Sequence, residues 1–444
     1  MNFLRFARYD DVPEFYIIDF SDAFYTLRLH PAERAHTIVK GNCGSYFILH
    51  CVCFGLSCGP LVWGRLASAF LRLGQAATNN RGGCSQCYVD DPILVALGRT
   101  HHERSRVFAR VTLLWCALGC SLAWHKCSRG CSVEWIGVNL QLEGALYRDL
   151  RVCLTVDKTS KLREMFKEIM TYQNKGMLPT ALLSQAAGIM GWVSNIIPLS
   201  RPWTGALWGA VVAAEREPTR DSTRARKGLT FWKQVKFSIL ALGKMLEVAS
   251  EPNRLGRDPQ LQLPQLSKLY SFMQDLPLLE LFTDACPTGM GAVIFQGNIP
   301  IGYWAHQLSQ EDCTKLHKDC QLGDPAFQTE WEAWTVVLAL RAFSGIFSSS
   351  KFKVFLRSDN TATLQASLQF QAKSPLLRQI AAELVLEIED QQLGALEGRH
   401  IRGLLNQIAD SLSRNVVPKQ LEHVRQFSVP DDWLFFRRCS LIHA

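Results

Sequence analysis

Tyr88-Val89-Asp90-Asp91 is the stretch on which the reading of this chain turns. Two short apolar runs, 87–89 and 93–96, flank Asp90-Asp91-Pro92 and predict a β-hairpin whose tip carries two adjacent carboxylates. Like charges that close repel, and the local sequence offers Asp90 and Asp91 no basic partner. A divalent cation resolves the repulsion. Mg²⁺ prefers hard carboxylate oxygens and takes one or two of them together with phosphate. Two such ions can activate an attacking hydroxyl and stabilise a leaving group. A third carboxylate must then arrive from a neighbouring strand, and Asp19 closes the β-like run 14–20. Taken as a dipeptide alone, Asp-Asp before Pro reads rather as an exposed turn.

Working outward, 61–73 has helical periodicity after Gly59-Pro60, 102–118 is helical, and 133–138 is strand-like. The first 140 residues therefore predict a small mixed α/β unit. Residues 157–250 read as mainly helical, with stops at Pro179, Pro198 and Pro218. Residues 251–275, with Pro, Gly, Gln and charge, read as a linker. A second α/β unit follows, with strands near 279–284, 290–296 and 352–358 and helices near 329–343, 375–390 and 404–413.

The totals fit this division. A chain of 444 residues accommodates two to four domains. Its 48% hydrophobic and 20% charged content is that of a globular protein and excludes wholesale disorder. Lys and Arg outnumber Asp and Glu 18 to 10 over residues 151–275, but trail them 15 to 18 over 276–444. A basic middle beside a carboxylate-bearing end suits a polyanion, and equally a solvated helical face. The 15 cysteines, with no secretory signal, predict reduced thiols in an intracellular compartment, nuclear or cytoplasmic. Cys84, Cys87, Cys127 and Cys131 have spacing that could hold zinc, although the first two lie in a β-like run and cysteine is a common core residue. The most apolar stretch, 186–214, is interrupted by Asn195, Pro198, Arg201 and Pro202, and predicts no membrane span.

In the second unit, Asp284 lies in a predicted strand, Glu332 in an apolar helix, Asp359 at the end of a strand and Asp410 in a short helix. One such acid is a cap or a solvated side chain. Four in one α/β unit favour a two-metal nuclease.

The ordered motifs resemble those of retroelement reverse transcriptases. Tyr88-Val89-Asp90-Asp91 is similar to the family's signature turn, and Ile18-Asp19-Phe20-Ser21-Asp22-Ala23-Phe24 to the preceding palm strand. Phe54-Gly55-Leu56-Ser57-Cys58-Gly59-Pro60, Lys126-Cys127 and Glu134-Trp135-Ile136-Gly137 resemble the template- and nucleotide-contacting loop, the later palm lysine and the primer-grip hairpin. Cys53 stands where the family has Pro, and Pro92 where it has an aliphatic residue. The resemblance implies that Asp19 and Asp90 bind two Mg²⁺ ions (Mn²⁺ substituting) with Asp91 beside them. It implies that Phe24, Phe54 and Gly55 contact the incoming dNTP, Phe24 excluding a ribose 2′-hydroxyl. Because 18 residues precede Asp19, most of the family's fingers are expected to be missing, with polymerisation impaired and an exposed palm surface available for dimerisation.

The second unit resembles ribonuclease H domains through Thr283-Asp284-Ala285 with Gly289 and Gly291, Ser358-Asp359-Asn360, and His400-Ile401-Arg402-Gly403 with Asn406 and Ala409-Asp410-Ser411-Leu412-Ser413-Arg414. The implied catalytic and metal-binding acids are Asp284, Glu332, Asp359 and Asp410, with Gly289, Asn360 and His400 against the RNA–DNA hybrid. Glu330 also fits the second position, but would face about 200° away on the helix. The segment containing Leu183, Ala187-Gly188, Gly191, Ile197-Pro198 and Arg201-Pro202 resembles the connection of long-terminal-repeat and tyrosine-recombinase elements. The expected fold is multidomain α/β: an α+β palm over 1–145, a helical thumb/connection over 146–250, the linker 251–275, a ribonuclease H-like domain over 276–415 with a mixed five-stranded sheet, and a tail 416–444. The implied activity is an RNA-directed DNA polymerase and ribonuclease H fragment with RNA, DNA and their hybrid as partners. The alternative is a relic that binds nucleic acid without turnover.

Overall fold

The computed structural model describes residues 10–78, 82–144, 149–215, 228–248, 267–271, 277–347, 352–391, 393 and 395–436. The chain divides into two compact units, one of residues 1–155 with 268–274, the other of 156–267 with 275–444. The expected multidomain α/β fold is present.

In the first unit, strand Val12–Ile17 runs between strand Asp91–Gly98 and strand Ser128–Gly130, both antiparallel to it. It is buried at four consecutive positions, as a strand covered on both faces must be. Strand Gly83–Tyr88 completes the sheet and pairs Tyr88 with Asp91, so that Val89 and Asp90 form a two-residue turn. Helices Gly59–Ala77 and His101–Ala117 supply Trp63, Ala67, Phe70, Val111 and Trp115 to the core. The second helix begins on a capping box between Thr100 and Glu103, which satisfies two otherwise unpaired N–H groups. A second sheet contains hairpin Ser132–Trp135 and Val138–Glu143, then Asp149–Leu154 and the edge strand Ser267–Ser271. The single strand expected over 133–138 is thus a hairpin. Ile136 and Gly137 occupy its turn with φ of +47° and +83°, the conformation that a two-residue turn between twisted strands demands.

The second unit opens with helices Val156–Met170, Thr180–Ile196, Arg201–Glu215 and Trp232–Val248. Its sheet runs, in order, Ile299–Gln307, Gly289–Gln296, Leu278–Cys286, Lys353–Ser358 and Ala395–His400. The first three strands form an antiparallel meander and the last two add in parallel, giving the expected mixed five-stranded sheet. Helix Gln328–Ala342 is buried from Trp331 through Ala342, as an element packed on several sides requires. Helix Pro375–Asp390 lies against it and against Arg201–Glu215, where Arg378 Nη1 donates to the Gly205 carbonyl at 3.1 Å. Arg341 is buried between Glu383 and Glu387 and donates to both at 2.5 and 2.8 Å.

The expected linker and tail have other structural roles where they are described. Ser267–Ser271 is a strand, while 249–266 and 272–276 lie outside the described residues. Residues 416–436 pack on the second unit: Leu421 is fully buried, and Trp334 Nε1 donates to the Leu434 carbonyl at 2.9 Å. No helix among the described residues is long and apolar enough to cross a membrane.

Candidate active sites

The Tyr88–Asp91 turn is held from three sides. Val89 has φ of +58°, a region a β-branched residue enters at a cost on the order of 1–3 kcal/mol. Trp63 Nε1 donates to the Val89 carbonyl at 2.7 Å, Trp135 Nε1 to that of Asp91 at 3.0 Å, and the Phe20 N–H to that of Asp90 at 3.1 Å. These bonds fix the backbone of the turn. Burial, then the charges of Asp90 and Asp19, push Asp91 above the ordinary carboxylate range. Burial foremost, then the charges of Asp90, Asp91 and Asp19, push the neighbouring Cys87 thiol up to about 12.

Asp19 has a different partner. Lys126 forms an ion pair with its Oδ2, and the Asp19 bond, then its charge, holds the lysine ammonium above its usual value. Among the described residues, the ligand atoms of Asp19, Asp90 and Asp91 do not gather as a metal-binding group. Phe24 is buried and meets the exposed Phe54 ring edge-on at 5.3 Å, with Gly55 following at φ of +96°. The four cysteines read as a zinc option also form no such group among the described residues. Burial raises the Cys84, Cys87 and Cys127 thiols above their usual value.

In the second unit, strand Leu278–Cys286 carries Asp284, helix Gln328–Ala342 carries Glu332, and Asp359 follows strand Lys353–Ser358. One ligand oxygen from each lies within 4.8 Å of the others. Asp284 and Glu332 are both 8% exposed. Burial foremost, with the neighbouring acids adding to it, raises each to about 7. Ser413 Oγ donates to Asp284 Oδ2 at 2.8 Å, and Gln328 Nε2 lies 3.4 Å from Glu332 Oε1. Buried Glu332 Oε2 and Asp359 Oδ1 have no hydrogen-bond partner among the described residues. Three converging carboxylates, two with orphaned buried oxygens, fit a hard divalent cation well.

Asp410 is outside this trio. Its Oδ1 accepts from Arg414 Nε and Nη2 at 3.1 and 2.9 Å, and the pair is exposed. Glu330 Oε1 accepts from Ser374 Oγ at 3.1 Å, so Glu332 is the acid that turns toward Asp284. Asn360 caps helix Thr361–Gln369 through the Ala362 and Thr363 N–H groups. His400 Nε2 is 3.0 Å from the Asp359 carbonyl, at the rim of the site. At Gly289 an added Cβ would lie 2.3 Å from the Ser413 carbonyl, and at Gly291 2.5 Å from Leu412 Cβ. These glycines let the Gln407–Ser413 helix approach the Asp284 strand. Gln328 went unmarked in the sequence, and Ser413 had no role there beyond its place in the 409–414 motif, because a polar side chain signals nothing until its partner across the fold is known.

No protein-family model matches the chain, and no curated protein matches it. Among solved structures, foamy viral protease–reverse transcriptase in complex with an RNA/DNA hybrid aligns with 87% of this chain and 44% of its own, at 14% identity and a TM-score of 0.41. The complex of the same enzyme type with double-stranded DNA aligns with 88% of this chain and 67% of its own, at 12% identity and a TM-score of 0.40. Ribonuclease H1 of the archaeon Halobacterium salinarum aligns with 31% of this chain and 94% of its own, at 13% identity and a TM-score of 0.24. The chain spans about half the length of the first two foamy viral chains, 44% and 56%.

Proposed function

We propose that this chain is a divalent-cation-dependent phosphodiester hydrolase that cuts the RNA strand of RNA–DNA hybrids at Asp284, Glu332 and Asp359. The observation that carries the reading is their convergence in a buried site with two carboxylate oxygens unpartnered. Bound there, Mg²⁺ or Mn²⁺ would polarise the attacking water and neutralise charge building on the scissile phosphate. Asp284 and Glu332, from strand and helix, would hold the cation from fixed elements. Asp359 would hold its open side, and Asp410 would join once Arg414 turns to a nucleic-acid phosphate. His400, Asn360 and the main chain at Gly289 would border the hybrid, where 2′-hydroxyls distinguish RNA from DNA.

The palm residues Asp19, Asp90 and Asp91 would serve two-metal nucleotidyl transfer, with Phe24, Phe54 and Gly55 against a dNTP and RNA or DNA as template. The order of palm, helical bundle and nuclease unit in one chain supports a retroelement origin, of long-terminal-repeat or tyrosine-recombinase type. One observation favours a second reading at the palm, nucleic-acid binding without turnover: Lys126 already neutralises Asp19.

The test is the full chain with labelled RNA–DNA hybrid and Mg²⁺ or Mn²⁺, wild type beside Asp284→Asn. Metal-dependent cleavage by the wild type alone supports the proposal. Hybrid binding with a steep salt dependence and no cleavage supports the non-catalytic reading instead.

A further inference from the structure

Ser413 closes the Gln407–Ser413 helix and is 1% exposed. Its Oγ lies 2.8 Å from Asp284 Oδ2 and 2.8 Å from the Asp410 carbonyl oxygen. A hydroxyl has one proton, so it serves one of these acceptors at a time. The carboxylate is the stronger, because the bond to it is charge-assisted. The carbonyl, three residues back on the helix, is the acceptor a helical serine takes when nothing better is present.

The backbone of Ser413 is clamped as well. Cys286 Sγ donates to its carbonyl at 3.2 Å, and Gly289 and Gly291 allow the strand to press against it. The serine hydroxyl is therefore delivered to a fixed point beside one oxygen of Asp284. Rotation of the Asp284 carboxylate would break that bond.

Resting on the metal-dependent hydrolysis proposed above, we propose that Ser413 is a positioning residue: its hydroxyl locks the Asp284 carboxylate in the orientation that receives the cation, and ties it to the turn carrying Asp410. A ligand held in place binds metal more tightly than one that must be reoriented, and loss of such an outer partner typically costs roughly 10–100-fold in metal affinity.

The experiment uses the full chain with Ser413→Ala, Ser413→Cys and Ser413→Thr. Mn²⁺ binding without nucleic acid is followed by electron paramagnetic resonance, and hybrid cleavage is titrated with Mg²⁺. The Ala variant should weaken Mn²⁺ binding and raise the Mg²⁺ midpoint roughly 10-fold or more. Thr, which keeps the hydroxyl, should return both to within a few-fold of wild type. Cys fills nearly the same volume with a weak donor and should fall between, which separates the hydroxyl from packing if Ala disturbs the fold. Equal metal midpoints in wild type, Ala and Cys, with the wild type cleaving hybrid, would overturn the role of Ser413 and leave the hydrolase reading standing. Ser413-dependent Mn²⁺ binding without any cleavage would overturn the hydrolase reading and uphold the positioning role. Absence of Mn²⁺ binding in the wild type would overturn both.

Discussion

Substituting Asp284 by Asn should abolish cleavage and, at the same time, stabilise the metal-free protein at alkaline pH. In the folded chain Asp284 releases its proton near 7, against an ordinary value of 3.8, chiefly because burial disfavours its charge. Between those two values the folded state holds a proton that the unfolded state has released. Stability therefore falls as pH rises through this window and levels off above about 7. At 1.36 kcal/mol per pKa unit, the gap from 3.8 to about 7 amounts to about 4 kcal/mol of destabilisation at pH 8. Asn carries no charge to bury, but its second amide hydrogen needs a partner, so the net gain should be about 2–3 kcal/mol. Near pH 4, where wild-type Asp284 is protonated in the fold, only the unmet amide hydrogen remains, and Asn should be the less stable by about 1–2 kcal/mol. Thermal unfolding of both in chelator across pH 4–8.5 measures this. Mg²⁺ at roughly 1,000 times its dissociation constant should reverse the order at pH 8, stabilising the wild type by about 4.1 kcal/mol. Equal midpoints for wild type and Asn at pH 8 in chelator, or an advantage for Asn that is the same at pH 4, would refute the claim that burial of the Asp284 charge costs stability.

The choice between neighbouring acids is tested by hybrid cleavage: Glu332→Gln should lose activity by at least 100-fold, whereas Glu330→Gln, whose carboxylate meets Ser374, should keep it within a few-fold. Gly291→Ala would place a Cβ 2.5 Å from both Leu412 Cβ and the Ser413 nitrogen, forcing the helix off the strand. A loss of roughly 1–3 kcal/mol in urea unfolding is expected, with a raised Mg²⁺ midpoint. Arg341→Met removes the cation held by Glu383 and Glu387, and should destabilise the second unit by about 3–5 kcal/mol, read from its unfolding midpoint.

Much of this architecture is legible along the chain, for local reasons. An acid pair at a hairpin tip, apolar periodicity and Gly-Pro or Asx punctuation are properties of neighbouring residues. They place the hairpin ending at Tyr88, the helices Gly59–Ala77 and His101–Ala117, and the strand carrying Asp284 within a few residues of where the structure has them. Strands Ile299–Gln307 and Ala395–His400 were not foreseen. The first is interrupted by Pro300 and Gly302, and the second, ALEGRH, lacks an apolar pattern. Each exists because an adjacent strand offers it a hydrogen-bonding edge, which is a property of the sheet and not of the segment.

The same division runs through the sites. Residue types and their order marked every acid at which phosphoryl chemistry was expected, since a carboxylate in an apolar segment is costly wherever the segment ends up. Which acids converge is a matter of distances between elements far apart in the chain, and that only the tertiary structure decided. It brought Asp284, Glu332 and Asp359 together, turned Glu330 toward Ser374, paired Asp410 with Arg414, and set Lys126 against Asp19. Sequence alone marked the Tyr88–Asp91 turn as the most recognisable feature of the chain. Packing gave the second unit the site whose buried, unpartnered carboxylates are ready for a cation, because desolvation and convergence arise only once strand, helix and loop have closed around the same point.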